Sequence, residues 1–284
     1  MVRLARIRAD DPGRWRKMDR QSVDFPAGLQ SNQTPGAQIS NVAALTWRLS
    51  IPAGPAGRYR LAQLDDYSGL SRRSFRWQAG FYISLEARAS HPNIPGTWGF
   101  GVWNDPFSMG LLNRAGEGRK TTSLRLPALP DTAWFFYASP PSYLSVRDDL
   151  PAQGWLAATF RASSVPPAVL ATAILGIPLL LFPPVVRIIR RALRKFVTQD
   201  AALLVLDPSE GHRYDLTWER EAVIFQVDGQ NVLKTSVVPK SNLGLVIWLD
   251  NQYMALSPGG RIGYGMHANP EPAWIEVRNI EHQS

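Results

Sequence analysis

The sequence contains no cysteine, and its 284 residues include only four histidines and 19% charged residues. The absence of cysteine excludes disulfides, thiolate nucleophiles and cysteine metal sites, and it leaves the redox compartment undecided. A Ser/His/Asp arrangement and a Gly-rich phosphate-binding loop are also missing. We therefore expect no cofactor and no metal site, and the sequence neither supports nor excludes a structural calcium ion. The scattered histidines, none spaced as a metal-binding pair, are His91, His212, His267 and His282.

The net charge of +8 is concentrated in two short segments. Residues 1–20 carry seven Arg or Lys against three Asp, and residues 187–195 add five cations without an acid, so the rest of the chain is close to −1. A nucleic-acid-binding domain is expected to carry its cations across one face of the domain. We therefore expect no nucleic-acid partner. Because residues 1–20 contain no apolar stretch of secretory length, we expect a cytoplasmic protein at the inner face of a membrane.

Short alternating segments separated by turn residues predict an all-β fold. The chain has 22 Gly and 23 Pro, and its 45% hydrophobic residues include ten Trp, which is ample material for a core. We predict a two-sheet antiparallel jelly-roll sandwich over residues 23–284, with a basic arm at 1–22 and an insert at 165–197. Asp228-Gly229 predicts a hairpin turn. The predicted strands are Ala43–Ser50, Arg58–Gln63, Ser74–Ala79, Phe81–Ala89, Thr97–Trp103, Ala133–Ser139, Trp155–Ala162, Ala201–Asp207, Arg213–Glu219, Ala222–Val227, Asn231–Ser236, Gly244–Leu249 and Trp274–Ile280.

Several segments in order resemble a known family. Phe81–Ala89 is followed by the Gly-Thr-Trp-Gly-Phe-Gly-Val-Trp segment Gly96–Trp103, and His212–Trp218 is followed by a Val-Asp-Gly hairpin within Ile224–Gly229. Trp274–Ile280 is similar to the closing strand. Together these segments resemble the concanavalin A-like sandwich of laminarinase-type glycoside hydrolases of family 16. The resemblance implies a jelly roll with a carbohydrate-binding cleft on one sheet.

The resemblance also implies a catalytic strand on which two Glu flank an Asp at alternating positions, so that three carboxylates point into the cleft. The corresponding segment Asp131–Ala138 has one acid, Asp131, at its margin. A retaining mechanism needs a nucleophile and an acid about 5–5.5 Å apart, and one carboxylate cannot serve as both. The family's own hydrolysis is therefore not expected, and whether the chain is an enzyme stays open. The candidate acids for a different chemistry are Asp105 and Asp131.

Aromatic rings beside Asn and Asp indicate a sugar-binding cleft. Flat rings stack on the apolar faces of sugars, and amides and carboxylates bond their hydroxyls. The alternative is that most Trp fill the core and that Asp105 caps a turn before Pro106. The predicted ligand-binding residues are Trp98, Trp103, Asn104, Asp105, Trp134, Tyr143 and Trp248.

The insert indicates attachment to a membrane surface. Val165–Val186 has no charged residue but is interrupted by five prolines, and a single crossing would separate strands of one sandwich. In Arg187–Phe196 the arginines recur at helical spacing opposite an apolar stripe, as in an anchor on anionic lipid. The alternatives are packing within an oligomer and packing on the sandwich. The predicted membrane-binding residues are Leu175, Leu179, Leu180, Leu181, Phe182, Arg187, Arg190, Arg191, Arg194 and Lys195.

The interpretation that combines these features is a module at an anionic membrane surface that binds a glycan or lipid-linked ligand. One alternative is an enzyme with rebuilt chemistry in the same cleft, acting on a lipid-linked, glycan or apolar substrate. The other is a scaffold whose insert binds a partner protein, with oligomer formation through the insert.

Overall fold

Two seven-stranded antiparallel sheets pack face to face. The computed structural model describes residues 28–106, 125, 128–163 and 182–283. The strands are β1 (Gln30–Gln33), β2 (Gln38–Ala43), β3 (Thr46–Ile51), β4 (Leu61–Asp65), β5 (Phe81–Ala89), β6 (Thr97–Trp103), β7 (Thr132–Ala138), β8 (Gly154–Ala162), β9 (Val197–Leu203), β10 (His212–Trp218), β11 (Val223–Val227), β12 (Gln230–Thr235), β13 (Gly244–Asp250), β14 (Gln252–Leu256), β15 (Ile262–Met266) and β16 (Ala273–Gln283). The first sheet has the strand order β1-β4-β13-β6-β7-β8-β9, and the second has the order β12-β11-β10-β5-β16-β3-β2. Strands β14 and β15 form a separate hairpin.

The core lies between the two sheets and is built by alternation along each strand. Phe100 of β6 and Phe135 of β7 meet Tyr214 of the second sheet, with ring centroids 5.2 and 5.1 Å apart. Trp98 stacks on Trp155 at 4.1 Å within the same layer. The predicted two-sheet sandwich is confirmed.

The first sheet is apolar on its other side as well. The residues of β7 and β8 that alternate with the core residues form a second buried cluster, which includes Trp134, Phe136, Leu156 and Phe160. A sheet with one face in the core usually turns polar residues outward. We call this side the outer face of the first sheet, and it is the face that could carry a ligand site.

The described strands correct the sequence prediction in a few places. The predicted bounds of Phe81–Ala89 and Thr97–Trp103 are confirmed, and Asp228 and Gly229 form the β11–β12 turn with φ of 50° and 76°, as a type I′ turn requires. Ser74–Ala79 is not a strand, because the chain there follows a short 3-10 helix (Arg72–Ser74) and makes one isolated bridge at Trp77. The predicted Ala201–Asp207 is displaced by four residues, and β1, β2, β14 and β15 were not predicted.

Helix α1 (Pro183–Phe196) leads directly into β9. Two prolines occupy its first positions, where a backbone N–H would have no acceptor within the helix, so the absence of N–H groups in proline costs no hydrogen bond. Val186 and Arg190 are its buried residues. In the part of the chain that the structure describes, no helix has the length and apolar character needed to cross a membrane.

Candidate functional site

Three tryptophans meet on the outer face of the first sheet. Trp103 of β6, Trp134 of β7 and Trp248 of β13 lie on neighbouring strands, and we call them the tryptophan cluster. The ring centroids of Trp103 and Trp134 are 5.7 Å apart, and those of Trp134 and Trp248 are 5.4 Å apart. Trp134 is buried, whereas Trp103 and Trp248 are half-buried. Three of the predicted ligand-binding residues are therefore brought together.

Glycines in β6 make room for these rings. A Cβ on Gly99 would lie 2.9 Å from the Trp248 ring, and a Cβ on Gly101 would lie 2.6 Å from Cα of Trp134. Both glycines lie on the same strand face as Trp103, because they precede it by two and four residues. The Gly-x-Gly-x-Trp pattern thus allows indole rings from β7 and β13 to approach the surface of β6.

A polar group borders the tryptophan cluster on the β4 side. Gln63 lies opposite Trp248 in the β4–β13 register, and its Nε2 donates to Oδ2 of Asp65 at 2.8 Å and to the Tyr67 hydroxyl at 3.3 Å. The Tyr67 ring packs 6.1 Å from that of Trp103. Amide, carboxylate and phenol groups therefore lie beside the rings. The sequence analysis missed them, although the polar Gln63 between the apolar Ala62 and Leu64 was a usable signal.

A second polar group lies where β6 begins and β13 ends. Trp248 Nε1 donates to Oγ1 of Thr97 at 3.0 Å, and Thr97 donates to Oδ1 of Asp250 at 2.9 Å. The Tyr59 hydroxyl donates to Oδ2 of Asp250 at 3.4 Å. Burial raises the pKa of Asp250 to about 7, although the hydrogen bonds that the carboxylate accepts act in the opposite direction. These residues were also missed, and their signal was that Asp250 shares a strand face with Trp248.

Asp105, a candidate acid, is engaged by arginines. It has a φ of +47° just after β6, and its Oδ2 forms a short ion pair with Arg125. Arg72 donates to the carbonyl oxygens of Asn104 and Asp105, each at 2.6 Å. Burial raises the pKa of Asp105 to about 6, although Arg125 opposes this. Asn104 in turn accepts from the backbone N–H of Asp131 at 3.1 Å, so the predicted Asn104 and Asp105 hold the loop together.

Asp131, the other candidate acid, pins a neighbouring turn. Its Oδ2 accepts the backbone N–H groups of Lys240 at 3.0 Å and Ser241 at 2.7 Å, and the Ser241 hydroxyl at 2.6 Å. Burial raises its pKa, and these hydrogen bonds lower it. Oδ2 of this buried carboxylate is committed to three donors of the protein, which is the pattern of a structural acid, whereas Oδ1 is buried without a hydrogen-bond partner among the described residues.

The outer face of β7 carries no carboxylate. Its outward side chains are Thr132, Trp134, Phe136 and Ala138, since the residues between them belong to the main core. The alternating row to which the family resemblance assigns three acids is therefore occupied by rings and small side chains.

Two predicted ligand residues lie elsewhere. Trp98 is fully buried in the core between the sheets, so its prediction as a ligand residue is wrong: it is an odd number of positions from Trp103 and faces the opposite way. Tyr143 bridges Ala255 of β14, and its ring faces the guanidinium of Arg190 at 5.1 Å. The Tyr143 ring is therefore in contact with helix α1.

The predicted membrane-binding residues divide into three groups. Leu175, Leu179, Leu180 and Leu181 lie outside the described residues. The exposed residues are Phe182, Arg187, Arg191, Arg194 and Lys195, with Phe182 58% exposed. Arg194 also bonds to the 145–148 loop, and Arg190 is buried and bonds to the same loop.

Arg190 corrects the predicted basic face of α1. It is 2% exposed, and its Nη1 donates to the carbonyl oxygens of Ser145 and Leu256, both at 2.5 Å. Its Nη2 donates to Oδ1 of Asp148 at 2.6 Å. The prediction that Arg190 faces a membrane is wrong, because its guanidinium group is buried against two carbonyl oxygens and the Asp148 carboxylate that the fold brings together.

The chain is similar to several solved structures. The carbohydrate recognition domain of Emp47p is 13% identical, with 92% of this chain and 90% of that chain covered and a TM-score of 0.44. A legume lectin-like domain from Entamoeba histolytica is 10% identical (89% of each chain, TM-score 0.43), and a Bacillus licheniformis β-glucanase is 10% identical (92% and 95%, TM-score 0.45). The fold of this chain is established by its own strand order. No family model and no curated protein matches the sequence.

Proposed function

We propose that the outer face of the first sheet binds carbohydrate, as a glycan or the headgroup of a glycolipid. The observation that carries this proposal is the tryptophan cluster with polar side chains on both of its borders. Sugar rings present apolar faces that stack on indole, and hydroxyls that need hydrogen-bond partners at the edges. Gln63 and Tyr67 on one border, and Thr97 and Tyr59 on the other, supply such partners.

Titration of the protein with a panel of neutral and acidic oligosaccharides, followed by calorimetry, tests this site. Trp103→Phe and Trp248→Phe retain a ring but reduce its area, so we expect each to weaken binding about tenfold, a loss of about 1.4 kcal/mol. Trp274→Phe is the matched control, because Trp274 is half-buried on the second sheet, under Arg48 and Arg88. Equal losses in all three variants, or no binding by the unaltered protein, would refute the proposal.

We further propose that α1 places the module at an anionic membrane surface, on the cytoplasmic side. Arg187, Arg191 and Lys195 are exposed, and so are the apolar Phe182 and Ile188. Each cation near an anionic surface contributes on the order of 1 kcal/mol, and apolar side chains add burial in the interface. This mixed surface supports the proposal without the buried Arg190.

Co-sedimentation with phosphatidylcholine vesicles, with and without phosphatidylserine, tests the membrane proposal. We expect sedimentation that increases with phosphatidylserine and that falls strongly in the double variant Phe182→Ser, Ile188→Ser. Leu45→Ser is a matched control, because Leu45 is 69% exposed on the second sheet, in the β2–β3 turn. If the double variant sediments like the unaltered protein, α1 is not the contact.

A further inference from the structure

A basic pocket opens beside α1, and none of its lining residues belongs to the tryptophan cluster. Its volume is about 110 Å³, room for a few waters or one small anion. It is formed where α1 meets the 145–148 loop and the β14–β15 turn. The lining residues are Asp148, Arg187, Arg190, Arg191, Arg194 and Pro258.

The pocket carries more positive charge than its own acid neutralises. Arg190 and Arg194 share the carboxylate of Asp148. The side chains of Arg187 and Arg191 form no hydrogen bond or ion pair within the described residues. Four guanidinium groups against one carboxylate leave a formal charge of +3 around a space about the size of one small anion. Such a concentration of like charge is unfavourable unless water, salt or a bound anion screens it.

Two of these guanidinium groups are held in place by the fold. Arg190 is fixed by the carbonyl oxygens of Ser145 and Leu256 and by the ring of Tyr143. Nε of Arg194 donates to the carbonyl oxygen of Val146 at 2.7 Å. A site whose donors are already ordered loses less conformational entropy on binding. The pocket is therefore preorganised on one wall, and its other wall offers donors that no described residue takes up.

We propose that this pocket binds a phosphate group, with Arg187 and Arg191 as its principal ligands. Guanidinium groups bond phosphate oxygens in pairs through parallel N–H donors, and several arginines around one anion are typical of phosphate recognition. A phosphate monoester matches the pocket best, because its charge of nearly −2 at neutral pH offsets most of the formal +3. The same chemistry is offered by soluble phosphate compounds and by the headgroup of phosphatidic acid.

Calorimetric titration with inorganic phosphate at low ionic strength tests the pocket itself. We expect binding by the unaltered protein, and a loss of affinity of about tenfold or more in Arg187→Gln and in Arg191→Gln. Lys195→Gln is the matched control, because Lys195 is exposed on the same helix but does not line the pocket. An unchanged thermal transition shows that each variant is folded, as expected for side chains without partners among the described residues.

An equal loss of affinity in Lys195→Gln would mean diffuse attraction by the helix and would overturn the proposal, as would the absence of binding. A second set of measurements identifies whether the bound phosphate group belongs to a soluble compound or to a lipid. Glycerol 3-phosphate in solution is compared with vesicles containing phosphatidic acid, against phosphatidylserine vesicles of matched surface charge. Preference for phosphatidic acid that depends on Arg191 assigns the pocket to lipid, and binding of glycerol 3-phosphate without that preference assigns it to a soluble ligand. The titration with inorganic phosphate involves no membrane, so its result is independent of the membrane test, whose variants Phe182→Ser and Ile188→Ser lie outside the pocket.

Discussion

Trp103 and Trp248 lie nearly parallel, with planes 2° apart and ring centroids 6.3 Å apart, although they are on different strands and not opposite each other. In the β6–β13 register Trp103 faces Gly244, and Trp248 faces Gly99. The two rings are thus brought into line across a stretch of β6 that has glycine at positions 99 and 101. The arrangement of the tryptophan cluster depends on the absence of side chains there.

Gly101→Ala is expected to destabilise the protein by about 1–3 kcal/mol. Gly101 has φ +146°, which side-chain-bearing residues rarely adopt, and an added Cβ would lie 2.6 Å from Cα of Trp134 in the adjacent strand. Urea denaturation measures the change. Gly211→Ala is the control, because a Cβ added to Gly211 would meet no atom within 4 Å, and it is expected to change stability by less than about 0.5 kcal/mol. Similar values for both substitutions would contradict the prediction.

Asp131→Ala is expected to cost about 1–3 kcal/mol of stability, because it removes the buried carboxylate that accepts the backbone N–H groups of Lys240 and Ser241. Thermal and urea unfolding provide the measurement. Asp149→Ala removes an acid that is 63% exposed and paired with the exposed Arg147, so its effect should be near zero. The structural assignment of Asp131 fails if the two substitutions have equal effects on unfolding.

The sequence predicted most of the fold because alternation in the strands is strong. In β8, Trp155 and Ala157 belong to the core between the sheets, and the alternating Leu156 and Ala158 belong to the buried cluster on the outer face of the first sheet. The same parity argument could have separated Trp98 from Trp103. The parity argument did not show which of the two tryptophans faces the core, because both faces of the first sheet are apolar and neither is identified as the outer one by polar side chains.

Asp250→Asn is expected to gain stability relative to the unaltered protein as pH rises from 5 to 8. Burial raises the pKa of Asp250 from 3.8 to about 7 in the folded state. The folded chain therefore keeps a proton that the unfolded chain has lost, so the contribution of Asp250 is full below about pH 4 and is lost as pH rises to about 7. Asparagine has no such titration. Urea denaturation of both proteins at pH 5 and pH 8 gives the difference.

Asp207→Asn is the control for this pH dependence. The pKa of Asp207 is lowered by the hydroxyl and backbone N–H of Ser209, so its contribution is present above about pH 4 and lost only as pH falls further. Its difference from the unaltered protein should be the same at pH 5 and pH 8. A constant difference for Asp250→Asn as well would mean that its carboxyl group ionises normally in the folded state.

The orientation of α1 could not be predicted from its own residues. On a helical wheel the four arginines share one face, and this spacing is equally compatible with a membrane surface, with solvent or with anchoring to the protein. What decides the orientation is a set of carbonyl groups from Ser145, Val146 and Leu256, which are far from α1 in sequence. Backbone carbonyls carry no side-chain signature, so the pairing becomes visible only in the folded chain.

Arg190→Met is expected to destabilise the protein by about 1–3 kcal/mol and to speed amide hydrogen exchange in α1 more than in β5. Methionine retains the packing of the aliphatic stem, but it leaves the carbonyl oxygens of Ser145 and Leu256 without their donor and removes the pairing with Asp148. Arg187→Met is the matched control, because it changes an exposed arginine one turn away that bonds no described residue. Its unfolding and exchange should match those of the unaltered protein. If both variants loosen α1 equally, the helix is held by its general charge, and the buried guanidinium of Arg190 is not its anchor.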